Sequence, residues 1–318
     1  MNNLELILNL RQRIKLELDP LITSDYLLLD LPYHKNIGDI LIWQGELNYL
    51  KSKPYRCLGC SNKDTFQFPD LPPNVIILLH GGGNFGDLYR SCQEFRRKIV
   101  SQYKKNKIVM FPQSVYYQEA NLIFEDSNIL KDHTNLYLCA RDYPSYKFMC
   151  KHFCSNHVLL VPDMAFFLDL KISEGSRFGA KHKSLCFKRI DKESVAAATN
   201  DQHYDHVGDW PTFEKTYIRV VTLYIALALY RRLPRWVFGK DTMANMIDVF
   251  GTYFVKDFLV KLGIDFITPY SEITVDRLHG LILSFLMGKR IRYRDNSTGK
   301  LSAFVSTWLS DAKEIERL

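Results

Sequence analysis

The chain has 318 residues, of which 47% are hydrophobic and 24% charged, and its formal net charge is +7. This composition predicts an ordinary soluble globular protein, and the length suggests two domains rather than one. The positive charge is not gathered into a Lys/Arg tract, so nucleic acid is not required as a partner, and an anionic small substrate or an anionic membrane surface suits the balance equally well.

The first 18 residues predict an amphipathic helix, with Leu4, Ile7, Leu8 and Ile14 at helical spacing. This segment lacks the basic start, long apolar block and small-residue cleavage site of a signal peptide. No apolar run reaches the roughly 18 residues that a spanning helix needs. We therefore expect a cytoplasmic protein.

Short apolar strands alternate with helical patterns in the first half of the chain. The predicted strands are Tyr26 to Leu29, Val75 to Leu79, "KIVMFPQS", "NLYLCARD" and "HVLLVPDMAF". This alternation predicts a parallel sheet covered by helices on both faces. In such sheets ligands bind beyond the carboxyl ends of the strands, where the sequence places Asp39, Asn84, Gln113, Arg141 and Asp163.

A second α/β set is predicted from Ser184 onward. It comprises a strand in "SLCFKRIDKE", helices in "TYIRVVTLYIALALYRR" and "TMANMIDVFGTYFVKDFLVKLG", and a strand in "IDFIT". A strand or helix entry in "SEITVDRLHG", a strand in "RIRYRDNSTGK" and a closing helix in "SAFVSTWLSDAKEIERL" follow. We place the boundary within residues 168–184, which gives domains of 1–175 and 176–318, with the closing helix expected to pack back on the first.

Seven scattered cysteines are an odd number, and without an export signal we expect reduced thiols. Cys57-x-x-Cys60 and Cys150-x-His152-x-Cys154-x-x-His157 have neither zinc-ribbon nor zinc-finger spacing. We interpret them as unrelated packing or surface thiols, with zinc binding as the weaker alternative, and predict no metal site.

The glycine segment "HGGGNFGD" contains the spacing Gly81-x-Gly83-x-x-Gly86, which satisfies a dinucleotide-binding pattern. The acidic residue expected at the end of the next strand is missing, because that strand ends in "FPQS". An asparagine and an aspartate beside open backbone amides fit a hydroxyl-rich ligand such as a sugar better. The alternative is a tight strand-to-helix turn with no ligand.

Basic residues mark the other candidate sites. In "TVDRLHG", Arg277 could bind a carboxylate or phosphate, and His279 could deliver a proton. The alternative is that Arg277 forms an ion pair with Asp276 and that His279 caps the next helix. Arg141, at the end of the fourth predicted strand, could bind a ligand or could equally form an exposed ion pair with Asp142. The segment "RDNSTGK" predicts a turn. Either Lys300 reaches an anion from this turn, or the turn is plainly solvated. Solvation is also the commoner explanation for Arg189, Asp191 and Lys192 in "FKRIDKE".

Taken together, these stretches resemble the polysaccharide pyruvyl transferase family. The motifs that carry the resemblance follow the family's order and cover most of the chain: "NIGD", "HGGGNFGD", "FPQS", "ARD", "PDMAF", "FKRIDKE", "DRLHG" and "DNSTGK". The resemblance implies two Rossmann-like domains facing a cleft, as in GT-B glycosyltransferases. It also implies transfer of pyruvate from phosphoenolpyruvate to a sugar diol, with a cyclic ketal as product and no further cofactor.

The resemblance and the residue chemistry together assign the site residues. His279 and Arg277 are the catalytic candidates. The donor phosphoenolpyruvate is assigned to Arg141, Arg277, His279, Ser297 and Lys300. The acceptor is assigned to Asp39, Gly82, Gly83, Asn84, Asp87 and Gln113. A nucleotide-sugar glycosyltransferase and a non-catalytic carbohydrate-binding protein of a polysaccharide gene cluster remain the alternatives.

The segment from Tyr217 to Lys240 joins an apolar helix to Arg231, Arg232, Arg235 and Trp236. It is too short to span a bilayer, but this composition is typical of a helix that lies on an anionic membrane. Such contact would suit an acceptor sugar carried on a lipid. A buried core helix with solvated arginines is the other interpretation.

Overall fold

The fold is an alternation of short apolar strands and helices, seen here in a computed structural model that describes residues 2–170, 183–190, 203–234, 237, 239–295 and 299–318. Ser297, Asp191, Lys192, Arg235, Trp236 and most of the predicted domain boundary lie outside the described residues. The strands are β1 Tyr26–Leu29, β2 Cys57–Ser61, β3 Ile76–Leu79, β4 Gly82–Gly86, β5 Ile108–Tyr116, β6 Leu136–Ala140, β7 His157–Leu160, β8 Ser184–Phe187, β9 His206–Gly208, β10 Glu272–Val275, β11 Arg290–Tyr293 and β12 Ile315–Arg317. The helices are α1 Asn3–Leu18, α2 Ile37–Leu50, α3 Arg90–Gln102, α4 Ala120–Leu130, α5 Tyr143–His152, α6 Pro211–Glu214, α7 Ile218–Arg232, α8 Lys240–Phe250, α9 Lys256–Ile267, α10 Leu278–Leu286 and α11 Lys300–Trp308.

The larger sheet is parallel and carries its strands in the order β2-β1-β3-β5-β6-β7, with β4 paired to β5. Every residue of β1 and β3 is buried. Strands covered on both faces have no solvent side to place polar residues on, so they appear in the sequence as continuous apolar runs. The predicted α/β class with a parallel sheet is confirmed.

The smaller sheet is also parallel, in the order β12-β11-β10-β8-β9. Its central strand β10 leads directly into α10, with Arg277 as the N-cap residue between them. The "DRLHG" motif therefore lies at the carboxyl edge of this sheet.

The two sheets share one hydrophobic cluster. It contains Leu28 of β1 and Val109 of β5 as well as Leu185 of β8 and Ile273 of β10, and Leu281 of α10 lies between them. A second cluster fills the other face of the larger sheet. The apolar surface of the smaller sheet is thus buried against the same core that supports the larger one.

The last helix joins the two halves by hydrogen bonds. The indole Nε1 of Trp308 donates to the carbonyl of Arg141 at 2.7 Å, and the amide of Tyr143 donates to the hydroxyl of Thr307 at 3.0 Å. Helix α11 therefore contacts the segment that follows β6 of the larger sheet.

Two sequence-based assignments, and the alternative considered for the glycine segment, were wrong. Residues 264–268 were predicted as a strand, but α9 runs through Ile267 and Thr268 is its C-cap, because Leu259, Gly263 and Ile267 recur at a spacing of four and form the buried face of the helix. The closing helix ends at Trp308, and the chain then adds β12 beside β11. The glycine segment is not a tight turn, since Gly82–Gly86 forms β4 along the end of β5.

Candidate active site

A cavity of about 720 Å³ opens where the carboxyl ends of both sheets meet. The segments that follow β1, β3, β6, β8 and β10 contribute Asp30, His80, Arg141, Arg189 and Arg277 to its wall. This is the edge at which open α/β sheets bind ligands, and the volume suits a small molecule. Both halves of the chain therefore build one site.

His279 is fixed at the start of α10 by two partners. Its Nε2 lies 3.3 Å from the carboxylate of Asp163 and 3.3 Å from Nη1 of Arg141. On the other side the ring packs on Gly38 of the "NIGD" motif, where an added Cβ would lie 2.8 Å from Nδ1. The imidazole lines the cavity and does not cap the helix, for which no side-chain cap is seen.

Asp163 supports this histidine as a carboxylate. Burial alone would raise its pKa, but His279 and Arg141 together lower it well below the usual range. Its other oxygen accepts the amide of Ala165 at 2.9 Å, which fixes the side chain after β7. Asp163 thus orients an imidazole and a guanidinium at once.

Arg277 is held by an acid that sequence reasoning missed. Its Nε and Nη2 both donate to the carboxylate of Asp209, and its guanidinium lies 4.8 Å from the centre of the Phe213 ring. Asp209 is itself fixed, because it accepts the amides of Trp210 at 2.7 Å and Ile190 at 3.1 Å. The fork of Arg277 is therefore oriented before any ligand arrives.

Asp276 does not take the role of partner to Arg277 that the alternative interpretation gave it. Both of its oxygens accept the amide of Arg189, at 2.9 and 3.0 Å. Burial raises the pKa of Asp276 to about 6, although Arg277 and Arg189 oppose the shift.

Arg141 is buried rather than exposed. Its Nε donates to Ser114 at 2.8 Å and its Nη1 donates to Asp163 at 2.9 Å. Asp142 does not pair with it but caps α5 through the amide of Ser145 at 2.8 Å. The exposed ion pair considered for this motif is not seen.

Lys300 reaches the same cavity from the first turn of α11. Asp295 accepts the amides of Leu301 and Ser302 at 3.1 and 3.3 Å, so this residue stabilises the start of the helix. A Cβ on Gly83 would lie 3.4 Å from Nζ of Lys300 and 2.9 Å from Nη2 of Arg141. Gly83 therefore leaves room for two cations.

Two of the predicted acceptor residues also line the cavity with polar atoms. Asp39 accepts Nδ2 of Asn36 at 2.8 Å, and burial, which raises its pKa, is outweighed by His34 and His279, which lower it. Asn84 accepts Nη2 of the buried Arg96 at 2.6 Å. Both side chains are thus oriented, with Asp39 as a carboxylate.

Gly82, Asp87 and Gln113, also predicted to contact the acceptor, do not line the cavity. Asp87 accepts the amides of Gln118 and Glu119 at 2.7 and 2.8 Å and so organises the turn before α4. Gln113 donates to the carbonyl of His80 at 2.7 Å. Of these contacts, the Gln113 hydrogen bond supports the cavity wall, because His80 lines the cavity.

A buried pair that joins His80 of the wall to α2 was also missed. His80 Nδ1 lies 2.9 Å from Glu46 of α2, whose other oxygen accepts the amide of Gly81 at 2.8 Å. A glutamate within an apolar helix gives no local signal of this role. Asp163 was noted at a strand end, whereas Asp209 had no recognisable motif.

The glycine segment does not have the geometry of a dinucleotide loop. Such a loop presents its amides at the start of a helix, but α3 begins only at Arg90, after β4. Gly86 has φ of +120° and packs on the carbonyl of Tyr116, where a Cβ would lie 1.9 Å away. Its glycines serve backbone packing and the placement of Arg141 and Lys300.

Fold and cavity together define an α/β protein with a preformed cavity lined by basic side chains. Arg141, Arg189, Arg277 and Lys300 converge on it, with His279 between the two halves.

Comparison with known proteins identifies the family. Residues 36–241 match the model of the family described as polysaccharide pyruvyl transferase. The chain is 32% identical over 287 residues to "Putative pyruvyl transferase EpsO" of Bacillus subtilis, covering 90% of this chain and 86% of that protein. It is 28% identical to "Pyruvyl transferase 1" of Schizosaccharomyces pombe, covering 89% of this chain and 69% of that protein. The chain belongs to the polysaccharide pyruvyl transferase family and is a pyruvyltransferase.

A solved structure shares the fold. The crystal structure of an uncharacterized protein from Klebsiella pneumoniae matches with a TM-score of 0.62 at 17% identity, covering 98% of each chain. At this identity the likeness concerns the fold alone.

The described residues contain no group of three or more His, Cys, Asp or Glu side chains placed to hold a metal ion. None of the helices in these ranges combines the length and apolarity needed to cross a membrane.

Proposed function

We propose that this enzyme transfers pyruvate from phosphoenolpyruvate to a sugar diol of a polysaccharide precursor and forms a cyclic pyruvate ketal. The observation that carries the proposal is the convergence of Arg141, Arg277 and Lys300 around His279 in one cavity. Phosphoenolpyruvate carries a carboxylate and a phosphate, and Arg141 and Arg277, already oriented by carboxylates, suit these two anionic groups. They also stabilise the phosphate as it departs.

The donor is activated by a proton. His279, as imidazolium, protonates the methylene carbon, and positive charge develops at C2. One sugar hydroxyl attacks C2 and loses its proton. Phosphate then leaves with the electrons of its C–O bond, and the second hydroxyl attacks C2, loses its proton and closes the ring. The balance is one phosphoenolpyruvate and one diol giving one ketal and one phosphate.

The acceptor is oriented by Asp39 and Asn84. Asp39 lies at the start of α2, beside the glycine that packs on His279, so a hydroxyl bound to it is placed close to the proton donor. Its low pKa keeps it a carboxylate that accepts the hydroxyl hydrogen. We propose that the diol binds on the N-terminal side of the cavity and the donor mainly on the C-terminal side, with Arg141 reaching the donor from the N-terminal half. The two sides then correspond to two Rossmann-like domains, 1–175 and 176–318, in a GT-B-like pair.

The proposal is tested by incubating the purified protein with phosphoenolpyruvate and candidate lipid-linked or nucleotide-linked sugars, followed by mass spectrometry and a phosphate assay. We expect one pyruvate ketal gained for each phosphate released. Glycosyl transfer from a nucleotide sugar without use of phosphoenolpyruvate would instead show a glycosyltransferase. Sugar binding without any turnover would show a carbohydrate-binding protein.

Helix α7 supports a second proposal, that the acceptor is used at an anionic membrane. Its inner face places Tyr224, Leu227 and Arg231 in the cavity wall. Its outer face exposes Ile218, Ile225 and Leu229, and Arg232 follows at its end. Exposed apolar area together with basic charge favours an anionic bilayer.

Vesicle sedimentation tests this contact. We expect the protein to sediment with anionic but not neutral vesicles at low salt, and Ile225→Glu with Leu229→Glu to weaken that binding. Leu16→Glu, at an equally exposed leucine of α1, is the matched control. No sedimentation with anionic vesicles at low salt would exclude the membrane contact while leaving the transfer reaction untouched.

A further inference from the structure

The pair Cys57 and Cys60 lies on β2, the edge strand of the larger sheet, away from the residues assigned to transfer. The two Sγ atoms are 3.4 Å apart. Residues three apart in a regular strand point to opposite faces of the sheet, so this approach needs an explanation.

A β-bulge provides it. Tyr26 of β1 pairs with Cys57, but the next residue, Leu27, pairs with Gly59, so Leu58 is an extra residue in β2. A bulge shifts the alternation by one position. Cys57 and Cys60 therefore project on the same side and meet.

The surroundings give the two thiols different roles. Cys57 is exposed, whereas Cys60 is half-buried. The contact with Cys60 lowers the pKa of Cys57, while the same contact and burial raise the pKa of Cys60. An exposed thiol with a lowered pKa is the one that attacks a disulfide, and its neighbour is placed to resolve the product.

We propose that Cys57 and Cys60 form a redox-active dithiol that closes to an intrachain disulfide by exchange with a low-molecular-weight disulfide. The Cys57 thiolate attacks one sulfur of the small disulfide and forms a mixed disulfide, and the first small thiol leaves. Cys60 then loses its proton, attacks Sγ of Cys57 and releases the second small thiol. The protein gives up two electrons and two protons, and the small disulfide is reduced to two thiols.

The site adjoins the cavity through the chain itself. Directly after β2, Asn62, Lys63 and Asp64 form part of the cavity wall, and Asp64 pairs with Arg231 of α7 at 2.5 Å. Closing the bond brings the sulfurs from 3.4 Å to the roughly 2.05 Å of a disulfide. Oxidation of the two thiols therefore changes the geometry of the bulge in β2, the strand that leads into this part of the wall.

The test uses the full-length protein equilibrated in buffers with a series of reduced to oxidised glutathione ratios, then acid-quenched and alkylated. Intact and peptide mass spectrometry count the alkylated thiols. We expect two thiols to be lost together from the peptide that contains Cys57 and Cys60, with no glutathione retained. Cys60→Ser should instead accumulate one glutathione on Cys57, because the resolving thiol is gone.

Cys150→Ser with Cys154→Ser, which removes two other exposed thiols, is the control and should still close the bond. The proposal is overturned if both thiols of the wild-type protein stay open to alkylation at every ratio. It is equally overturned if the wild-type protein retains glutathione on Cys57 as Cys60→Ser does. The wild-type measurement decides the matter even where a variant folds poorly.

Discussion

At the scale of single residues, the site depends on carboxylates that hold cations in place. Asp209 fixes Arg277 and Asp163 fixes both Arg141 and His279. Burial alone would raise the pKa of Asp163, but His279 and Arg141 lower it well below its usual range, so this carboxylate stays ionised across the neutral pH range. The geometry of the cavity is therefore set before substrate binds.

Replacing His279 by alanine should lower turnover about 10²–10⁴-fold, which is the usual contribution of a general acid. Steady-state rates and thermal melts of the purified variant check this, since the fold should be retained. His157→Ala, at an exposed histidine on β7, is the control. Near-normal turnover of His279→Ala at neutral pH would show that another group delivers the proton.

Replacing Arg277 by lysine should raise the KM for phosphoenolpyruvate. Lysine keeps the charge but loses the planar fork that Asp209 holds, and one charged hydrogen bond is worth about 1.5–3 kcal/mol, or roughly 10- to 100-fold. Donor titrations measure the change, with Arg290→Lys on the exposed edge of β11 as the matched control. Unchanged donor kinetics would leave Arg277 a structural role only.

Asp276 should make stability depend on pH. Its pKa of about 6 in the folded protein exceeds the unfolded value near 4. Between these values the folded state binds more protons than the unfolded state, so the free energy of unfolding falls as pH rises from about 4 to about 6 and then levels off. Thermal melts across pH 4–7 should show Asp276→Asn gaining stability relative to wild type through that window. Asp311→Asn, at an exposed aspartate, is the reference. Parallel curves of melting temperature against pH for wild type and Asp276→Asn would contradict the raised pKa of Asp276.

At the scale of elements, the strands that could be predicted from the sequence are those with an uninterrupted apolar run. β1, β3 and β6 are buried apolar runs and were predicted, whereas β2, β9 and β12 are short edge strands without such a pattern. The basic site residues were predicted because they follow strands. Of their acids, Asp163 was noted at a strand end, but Asp209 was not predicted, since it lies 68 positions from Arg277 and no local pattern connects the two.

Substitution at the start of α2 should lower turnover as clearly as substitution of the catalytic residues. In Gly38→Ala the new Cβ would lie 2.8 Å from Nδ1 of His279, so the ring must shift. A displacement of about 1 Å at a reacting group can cost about 10²-fold in rate. We expect the loss in turnover to exceed any loss in melting temperature. Gly59→Ala, which meets only the flexible Leu27 side chain at 3.2 Å, is the control, and equal activity of the two variants would oppose this role of Gly38.

At the scale of the whole molecule, ligand-induced stabilisation distinguishes the candidate donors. Millimolar phosphoenolpyruvate should raise the melting temperature by several degrees, because a ligand at 100 times its Kd stabilises the native state by about 2.7 kcal/mol. NAD should not, since β4 occupies the position at which a dinucleotide loop would begin a helix. Differential scanning fluorimetry measures both, and a shift with NAD alone would reverse the assignment of the glycine segment.

The apolar cluster shared by the two sheets restricts how the enzyme can move. Separating the two halves would uncover the apolar face of α2 that packs on α9 and α10, where Ile37 lies against Gly263, at a cost of roughly 25 cal/mol for each Å² uncovered. A hinge between independent lobes is therefore opposed by the same burial that holds the protein folded. We therefore expect the cavity to change little in shape when substrate binds, so that fit and charge rather than closure around the ligand give selectivity.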